Sequence, residues 1–285
     1  MKIAASTYSF SQLIQRGEMT QFDCIAKAKE LGFDGIELVD VERYAKGDVV
    51  DYAKRLGEEA ERLGMPVSNF TFGADFVGGS NGDWRAEVKR VKKMIDLAKH
   101  TGAVSVRHDT AFEMGEFRSF GQMLPRLAEA CREVTEYAAE QGIRTMVENH
   151  GRICQDSIRV EELFNAVGHP NFGILADMAN FLSVDENPVT AYSRLAPYVT
   201  YAHAKDVIVK SGQEPNPRLG FRQSRGGNYL RSTIVGHGNV PVQQCVNILK
   251  CVGYDGFLAI EFEGMENALD ALQIGLENLR NAIKD

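Results

Sequence analysis

Short apolar runs alternate with amphipathic stretches along almost the whole chain. Runs that are apolar at nearly every position are typical of parallel strands buried on both faces. They predict strands near residues 2–7, 35–39, 66–71, 103–108, 144–149, 172–177, 199–205 and 257–262. The stretches between them repeat apolar residues with helical spacing. They predict helices near residues 20–31, 48–63, 83–101, 119–141, 157–167, 188–196, 241–252 and 266–283.

Eight strand–helix units joined by short turns favour an α/β fold of the closed (β/α)8 type, a TIM barrel. An open dinucleotide-binding sheet is disfavoured, because no G-x-G-x-x-G motif follows the first strand. No shift in composition divides the chain, so residues 1–285 are expected to form a single TIM-barrel domain.

One connection is longer than the others. Residues 206–239, between the seventh and eighth predicted strands, read as a long loop region rich in Gly, Pro and Arg. A long loop within a compact domain is usually functional, so this one is expected near the barrel mouth as a lid or wall. A disordered or oligomer-forming excursion is the alternative.

The 285 residues are 44% hydrophobic and 25% charged, with a net charge of −7. This balance argues against a nucleic-acid-binding surface. The sequence contains no uninterrupted run of about 18 apolar residues, so no membrane span is expected. The chain begins with a strand-like segment rather than a signal peptide, and its five cysteines are scattered without a C-x-x-C pair. Reduced thiols and a cytoplasmic location are therefore expected. A homo-oligomer is compatible with such a barrel, although no residue identifies one.

Four of the predicted strands end in a side chain that can hold a divalent metal. These side chains are Glu148, Asp177, His203 and Glu261. If the four strands are neighbours in one barrel, the four groups converge at its open end. Three carboxylates and one imidazole suit a hard or borderline cation. The alternative is that each residue merely caps its strand or pairs with a loop.

The sequence around these residues also resembles a known superfamily. The stretches are Val147–Gly151, Leu175–Asp177, His203–Asp206 and Gly253–Glu261, with Gly35–Leu38 and Val235–Gly238 fitting the same pattern. They resemble the xylose isomerase-like TIM barrels and, more narrowly, the sugar phosphate isomerase/epimerase branch. The resemblance implies one divalent ion bound by Glu148, Asp177, His203 and Glu261. Mn2+ is expected first, with Co2+, Mg2+ and Zn2+ as alternatives.

Such a site suits proton abstraction next to a carbonyl, through a metal-stabilised enediolate. Glu148 and Glu261 are expected to be the catalytic pair, one removing the proton and the other returning it. The predicted function is thus isomerisation or epimerisation of a sugar or keto-sugar in carbohydrate metabolism. Cys154 and Asn180 replace a Glu and a His of the ketohexose epimerases. A lyase or dehydratase acting on a keto-cyclitol or 3-keto-glycoside is therefore the alternative.

Four further residues are predicted to contact a small-molecule substrate: His108, His150, Lys205 and His237. For His108 the alternative is that Arg107 faces the mouth instead. For His150 the alternative is that it donates a hydrogen bond that holds a metal ligand in place and does not contact the substrate. Lys205 could equally pair with Asp206, and His237 could lie in a surface turn. Glu37 ends an apolar strand, so its charge is expected to reach the mouth or a basic partner.

Two other functions remain open at this point. An abasic-site endonuclease of the endonuclease IV type shares the barrel, but it needs three zinc ions and more histidines than the six present. A non-catalytic subunit would have no need of four convergent ligands.

Overall fold

Eight parallel strands close into a barrel in the computed structural model, which describes residues 1–285. The chain has eleven strands in all, eight in the barrel and three in a separate sheet. In chain order they are β1 (Lys2–Ser6), β2 (Gly35–Val39), β3 (Val67–Phe72), β4 (Ser105–His108), β5 (Arg144–Glu148), β6 (Phe172–Asp177), β7 (Val199–Ala204), β8 (Asp206–Lys210), β9 (Arg222–Gln223), β10 (Tyr229–Thr233) and β11 (Phe257–Ile260). Strands β1 to β7 follow one another around the ring, and β11 lies between β7 and β1. The predicted TIM barrel is confirmed.

The helices surround this barrel. They are α1 (Ser11–Gln15), α2 (Gln21–Leu31), α3 (Val41–Tyr44), α4 (Val49–Arg62), α5 (Trp84–His100), α6 (Phe120–Glu140), α7 (Ser157–Val167), α8 (Pro188–Leu195), α9 (Val242–Cys251) and α10 (Ala268–Lys284). The eight predicted helices all form. The short helices α1 and α3 were not predicted, and they lie in the connections after β1 and β2.

Local chemistry explains where the helices begin and end. Thr20 and Asp23 form a reciprocal capping box at the start of α2, and the Asp48 side chain accepts the Asp51 N–H at the start of α4. Gly32 follows α2 with a φ of 90°, in the left-handed region that glycine adopts without steric cost. The turns that return the chain to the sheet are therefore encoded locally.

The region predicted as a long loop, residues 206–239, contains a small antiparallel sheet. Strand β10 pairs with β8 on one side and with β9 on the other. The Asp185 carboxylate accepts hydrogen bonds from Ser224 Oγ at 2.6 Å and Asn228 Nδ2 at 2.8 Å, which attaches this sheet to the barrel. The segment is thus an ordered wall of the mouth.

Inside the barrel, a small apolar layer lies beneath the mouth. Its members are Ala4, Met146, Leu175, Tyr201 and Ala259. The last four each stand two residues before one of the predicted metal ligands. Because side chains two residues apart on a strand face the same side, this layer and the ligands share the interior of the barrel. Outside the barrel, the main core packs between strands and helices.

None of the helices is both long enough and apolar enough to span a bilayer.

Candidate metal centre and active site

The four predicted ligands lie together at the carboxyl ends of neighbouring strands. Glu148, Asp177 and His203 belong to β5, β6 and β7, and Glu261 directly follows β11. One ligand atom from each residue lies within 4.8 Å of all the others. The first three side chains are buried, and Glu261 is only 13% exposed. The convergence expected from the strand ends is therefore present, and binding of an ion by these groups remains a prediction.

His203 is oriented by a carboxylate behind it. Its Nε2 lies 2.9 Å from Glu37 Oε2, and both side chains are fully buried. The other oxygen of Glu37 accepts hydrogen bonds from Asn69 at 3.0 Å and Thr71 at 2.8 Å. The basic partner expected for Glu37 is thus His203. This bond fixes the imidazole with Nδ1 toward the other three ligands, as carboxylates do behind metal-binding histidines.

The donor set fits a divalent cation. Two buried atoms of the cluster have no hydrogen-bond partner, Asp177 Oδ2 and His203 Nδ1. His203 Nδ1 lies 3.7 Å from Glu148, 3.9 Å from Asp177 and 3.8 Å from Glu261, measured to one carboxylate oxygen of each. These distances are too long for hydrogen bonds. They suit atoms that share one ion through bonds of about 2 Å.

The electrostatics of the cluster also favour a cation. Burial, together with the charges of Glu148 and Glu261, raises the pKa of Asp177 to about 7. Burial alone would lower the pKa of His203, but Glu37 and Glu261 raise it well above its ordinary value. Protons therefore compensate the negative charge when no metal does, and binding of a cation would release them.

Arg107, which the sequence analysis gave only as the alternative to His108, is a member of the site. Its buried guanidinium lies 2.6 Å from Glu148 Oε2 and makes two hydrogen bonds to Asp109, at 2.9 and 3.0 Å. Burial alone would raise the pKa of Glu148, but the charges of Arg107 and His203 hold it well below the usual range. Arg107 thus stabilises the ionised form of Glu148.

A polar cavity of about 380 Å³ opens outside the ligands. The residues that line it are Phe112, His150, Gly151, Arg152, Gln155, Asn180, Ser183, Lys205, Arg222 and Glu263. Two of them contact the ligands, since Lys205 Nζ lies 2.8 Å from Glu261 and Asn180 Nδ2 lies 2.9 Å from Glu148. This cavity is therefore the space in which a substrate would meet the cluster.

His150 and Lys205, two of the predicted substrate contacts, line this cavity. His150 Nδ1 lies 2.7 Å from the buried carboxylate of Asp109. Burial would lower the pKa of His150, but Asp109 raises it. Lys205 Nζ is shared between Glu261 and Glu263, at 2.8 and 3.0 Å, rather than pairing with Asp206.

His108 does not reach the cavity, contrary to expectation. It is fully buried, packs against Phe72 and Phe76, and bonds through Nδ1 to the Asp109 carbonyl oxygen. Strand alternation is the reason, because Arg107 takes the inward position and turns its neighbour outward. Burial lowers the pKa of His108 to about 4, so it is a neutral core residue.

His237 is also absent from the cavity wall. It is exposed on the turn before α9. The N–H groups of Gly236 and Gly238, on either side of it, donate to Asp206 Oδ2 at 2.9 and 2.8 Å. Asp206 therefore fixes this turn, and the glycines serve its geometry instead of presenting His237 to the mouth.

Glu37→Gln is expected to weaken binding of a divalent metal about 10–100-fold, because residues that orient metal-bound histidines have effects of this size. The side-chain amide of Gln can also donate to His203 Nε2, which would place the imidazole proton on Nδ1, the atom that is expected to bind the metal. Calorimetric titration of the protein with Mn2+ measures the effect. Glu61→Gln, an exposed change on α4, should bind Mn2+ like the unaltered protein. Equal affinity in both variants would exclude an orienting role for Glu37.

Comparison with protein families gives one match that covers most of the chain. The family described as "Xylose isomerase-like TIM barrel" matches residues 25–282. Among curated proteins, the chain is 24% identical over 288 residues to a 3-dehydroshikimate dehydratase of Bacillus anthracis. That alignment covers 99% of this chain and 97% of the dehydratase.

Solved structures give the same fold. The structure of the IOLI protein with a bound zinc atom matches with a TM-score of 0.79. The two chains are 15% identical, and the match covers 100% of this chain and 98% of the IOLI protein. An L-ribulose 3-epimerase has a TM-score of 0.75, with 15% identity over 99% and 94% of the two chains. At these identities the likeness establishes the fold alone.

Proposed function

Because the chain belongs to the xylose isomerase-like TIM barrel family, we propose that it is a divalent-metal-dependent isomerase or epimerase of a sugar or keto-sugar. The observation that carries the proposal is the convergence of Glu148, Asp177, His203 and Glu261 within 4.8 Å at the barrel mouth. One ion is expected there, with Mn2+ first and Co2+, Mg2+ or Zn2+ as alternatives. A curated relative named as a dehydratase and a structural neighbour named as an epimerase support enzymatic chemistry of this kind.

A bound divalent ion would polarise the substrate carbonyl and stabilise the negative charge that develops on its oxygen. The protein supplies the proton transfer. Glu148 and Glu261 stand at the two ends of the row of ligand strands β5, β6, β7 and β11, so they can flank a substrate. One carboxylate accepts the proton from the carbon next to the carbonyl, and the other returns a proton. Return to the opposite face epimerises, and return to the neighbouring carbon isomerises.

Neighbouring residues hold the two carboxylates ready for these roles. Asn180 donates to Glu148 and Lys205 donates to Glu261, which limits their rotation. Asn180, Gln155 and Ser183 also line the cavity with amide and hydroxyl groups that can bind sugar hydroxyls. Phe112 is the one hydrophobic side chain among the residues that line the cavity, so the cavity suits a polyhydroxylated compound better than a lipid or an aromatic compound.

A second function, dehydration, is favoured by the Asp109–His150 pair. The buried Asp109 holds Nδ1 of a cavity-lining imidazole, which leaves Nε2 available as a proton acceptor or donor. A lyase would remove the same proton next to the carbonyl and then expel a neighbouring hydroxyl, which leaves as water after receiving a proton. A keto-cyclitol or a 3-keto-glycoside would be the substrate. The dehydratase relative supports this reading.

One experiment tests both functions. Chelator-treated protein is reloaded with Mn2+ and incubated in deuterated buffer with ketoses, keto-cyclitols and 3-keto-glycosides. Metal-dependent deuterium incorporation next to the carbonyl is the expected result, observed by NMR. An isomeric product whose mass changes only by the incorporated deuterium identifies an isomerase or epimerase, and loss of water identifies a lyase. Absence of any exchange across the panel with metal bound would refute the enolising function.

A further inference from the structure

Two arginines in the cavity wall have no acidic partner. Arg152 lies in the loop after β5, and Arg222 lies in β9. No carboxylate oxygen lies within 4.0 Å of either guanidinium, and Arg222 makes a single side-chain hydrogen bond, to Ser183 Oγ at 2.7 Å. Arg225, only three residues further, is by contrast paired with Asp156 at 3.2 Å. The two cavity arginines therefore retain most of their hydrogen-bonding capacity.

The backbone that carries Arg152 is held in an unfavourable conformation. Its φ is 71°, in the left-handed region that residues with a side chain rarely adopt. The Arg152 N–H donates to Gln155 Oε1 at 2.6 Å, and its carbonyl oxygen accepts from Arg225 at 2.6 Å. Two contacts thus fix the loop in this conformation, with Arg152 at the cavity.

The positive charge of this wall is a local property. The chain as a whole carries a net charge of −7, yet the cavity is lined by Arg152, Arg222 and Lys205 against the single acid Glu263. Lys205 is already shared between Glu261 and Glu263. Lys205 and the two carboxylates that share it carry one net negative charge, against the two positive charges of Arg152 and Arg222, so the outer part of the cavity keeps a net positive charge.

The arginines and the metal ligands share one cavity. Asn180 and Lys205 line it and also contact Glu148 and Glu261, so a molecule in the cavity touches groups bound to the ligand cluster. With Arg152 and Arg222 lining the same cavity, one molecule could place its carbonyl at the cluster and another group against the arginines.

We propose that the substrate carries an anionic group, a carboxylate or a phosphate, which Arg152 and Arg222 bind. Guanidinium groups bind the planar fork of a carboxylate or the oxygens of a phosphate with paired, charge-assisted hydrogen bonds. The inference rests on the proposed function, since it describes the substrate of the same site. It predicts that neutral ketoses are poor substrates beside their acidic or phosphorylated counterparts.

The test measures binding rather than turnover. Calorimetry compares D-ribulose with D-ribulose 5-phosphate, and myo-inositol with quinate, on the Mn2+-loaded protein and again after chelation. The anionic member of at least one pair should bind about tenfold more tightly or better. The pair that shows the preference separates phosphate from carboxylate. Arg152→Ala and Arg222→Ala should each reduce that preference about tenfold.

Controls address folding and the metal itself. Arg218→Ala removes an exposed arginine from the segment between β8 and β9 that does not line the cavity, and it should keep the full preference. Arg222→Lys retains the charge with little change in bulk, and should keep part of the preference if the alanine variant fails to fold. Equal affinity for both members of each pair would overturn the proposal. So would a preference that survives both alanine changes, because the metal alone would then bind the anion.

The binding result and the proposed function can fail separately. An arginine-dependent anion preference without any deuterium exchange would refute the enolising function and leave an anion site. Exchange with neutral and anionic substrates at equal rates and affinities would support the function and refute the anion site.

Discussion

Glu148→Gln is expected to lower deuterium exchange into the substrate about 10²–10⁴-fold, the usual contribution of a positioned acid or base. The amide cannot accept the proton, although it retains an oxygen that can face the metal. Asn180, which donates to Glu148, and Arg107, which pairs with it, would lose their ionic acceptor. The measurement is the NMR exchange rate at saturating Mn2+ with the best substrate of the panel.

Glu261→Gln should give a loss of the same order, since it removes the second carboxylate of the pair. Glu136→Gln, an exposed change on α6, should exchange deuterium at the unaltered rate. Metal content must be measured in each variant, so that loss of the ion is not mistaken for loss of the base. Exchange rates within about threefold of the unaltered protein in both site variants would contradict the catalytic roles.

Arg107→Met is expected to lower the free energy of unfolding of the metal-free protein by about 3–5 kcal/mol, the usual cost of removing one partner from a buried ion pair. Glu148 and Asp109 would be left as buried carboxylates without the guanidinium that pairs with both. Urea unfolding followed by circular dichroism measures the change. Saturating Mn2+ should reduce the difference, because the ion would compensate the charge of Glu148.

The matched control is Arg16→Met, which breaks an ion pair with Glu18 in which both side chains are about half exposed. Exposed pairs of this kind are worth about 0–1 kcal/mol, so little change is expected. A loss from Arg107→Met no greater than that from Arg16→Met would show that the buried guanidinium contributes nothing to the stability of the site.

The barrel could be predicted from the sequence because its signals are local. Each strand is a short apolar run, and turn residues such as Gly32 close the preceding helix. The convergence of the ligand side chains also followed, because a closed parallel barrel brings the carboxyl ends of its strands to one rim. Glu148 and His203 are remote in sequence, but their positions at strand ends were enough to place them together.

The sequence did not predict in the same way which side chains of β4 point into the barrel. Every residue of Ser105–His108 is buried, so periodicity alone does not distinguish the inner from the outer face. The available signal was Arg107 and Asp109, two opposite charges with the spacing that puts them on one face of the strand. Two such charges are buried at low cost only when they pair, and that pairing turns His108 outward.

The small sheet of β8, β9 and β10 was missed because its partners are distant along the chain. Asp206–Lys210 pairs with Tyr229–Thr233 across a segment rich in Gly and Pro. No local pattern reveals such a pairing, and the composition of the segment is that of a loop. The position of Arg222 in the cavity wall depends on this pairing, so it was equally hidden.

The attachment of this sheet has a consequence for how specificity can evolve. Only Lys205 separates β8 from β7, the strand that carries His203, while the tip of the sheet is anchored separately by Asp185. Insertions and deletions between these two anchors would change the length and charge of the wall without displacing the imidazole. Related barrels could therefore acquire new substrates by remodelling this tip while inheriting the chemistry at the rim intact.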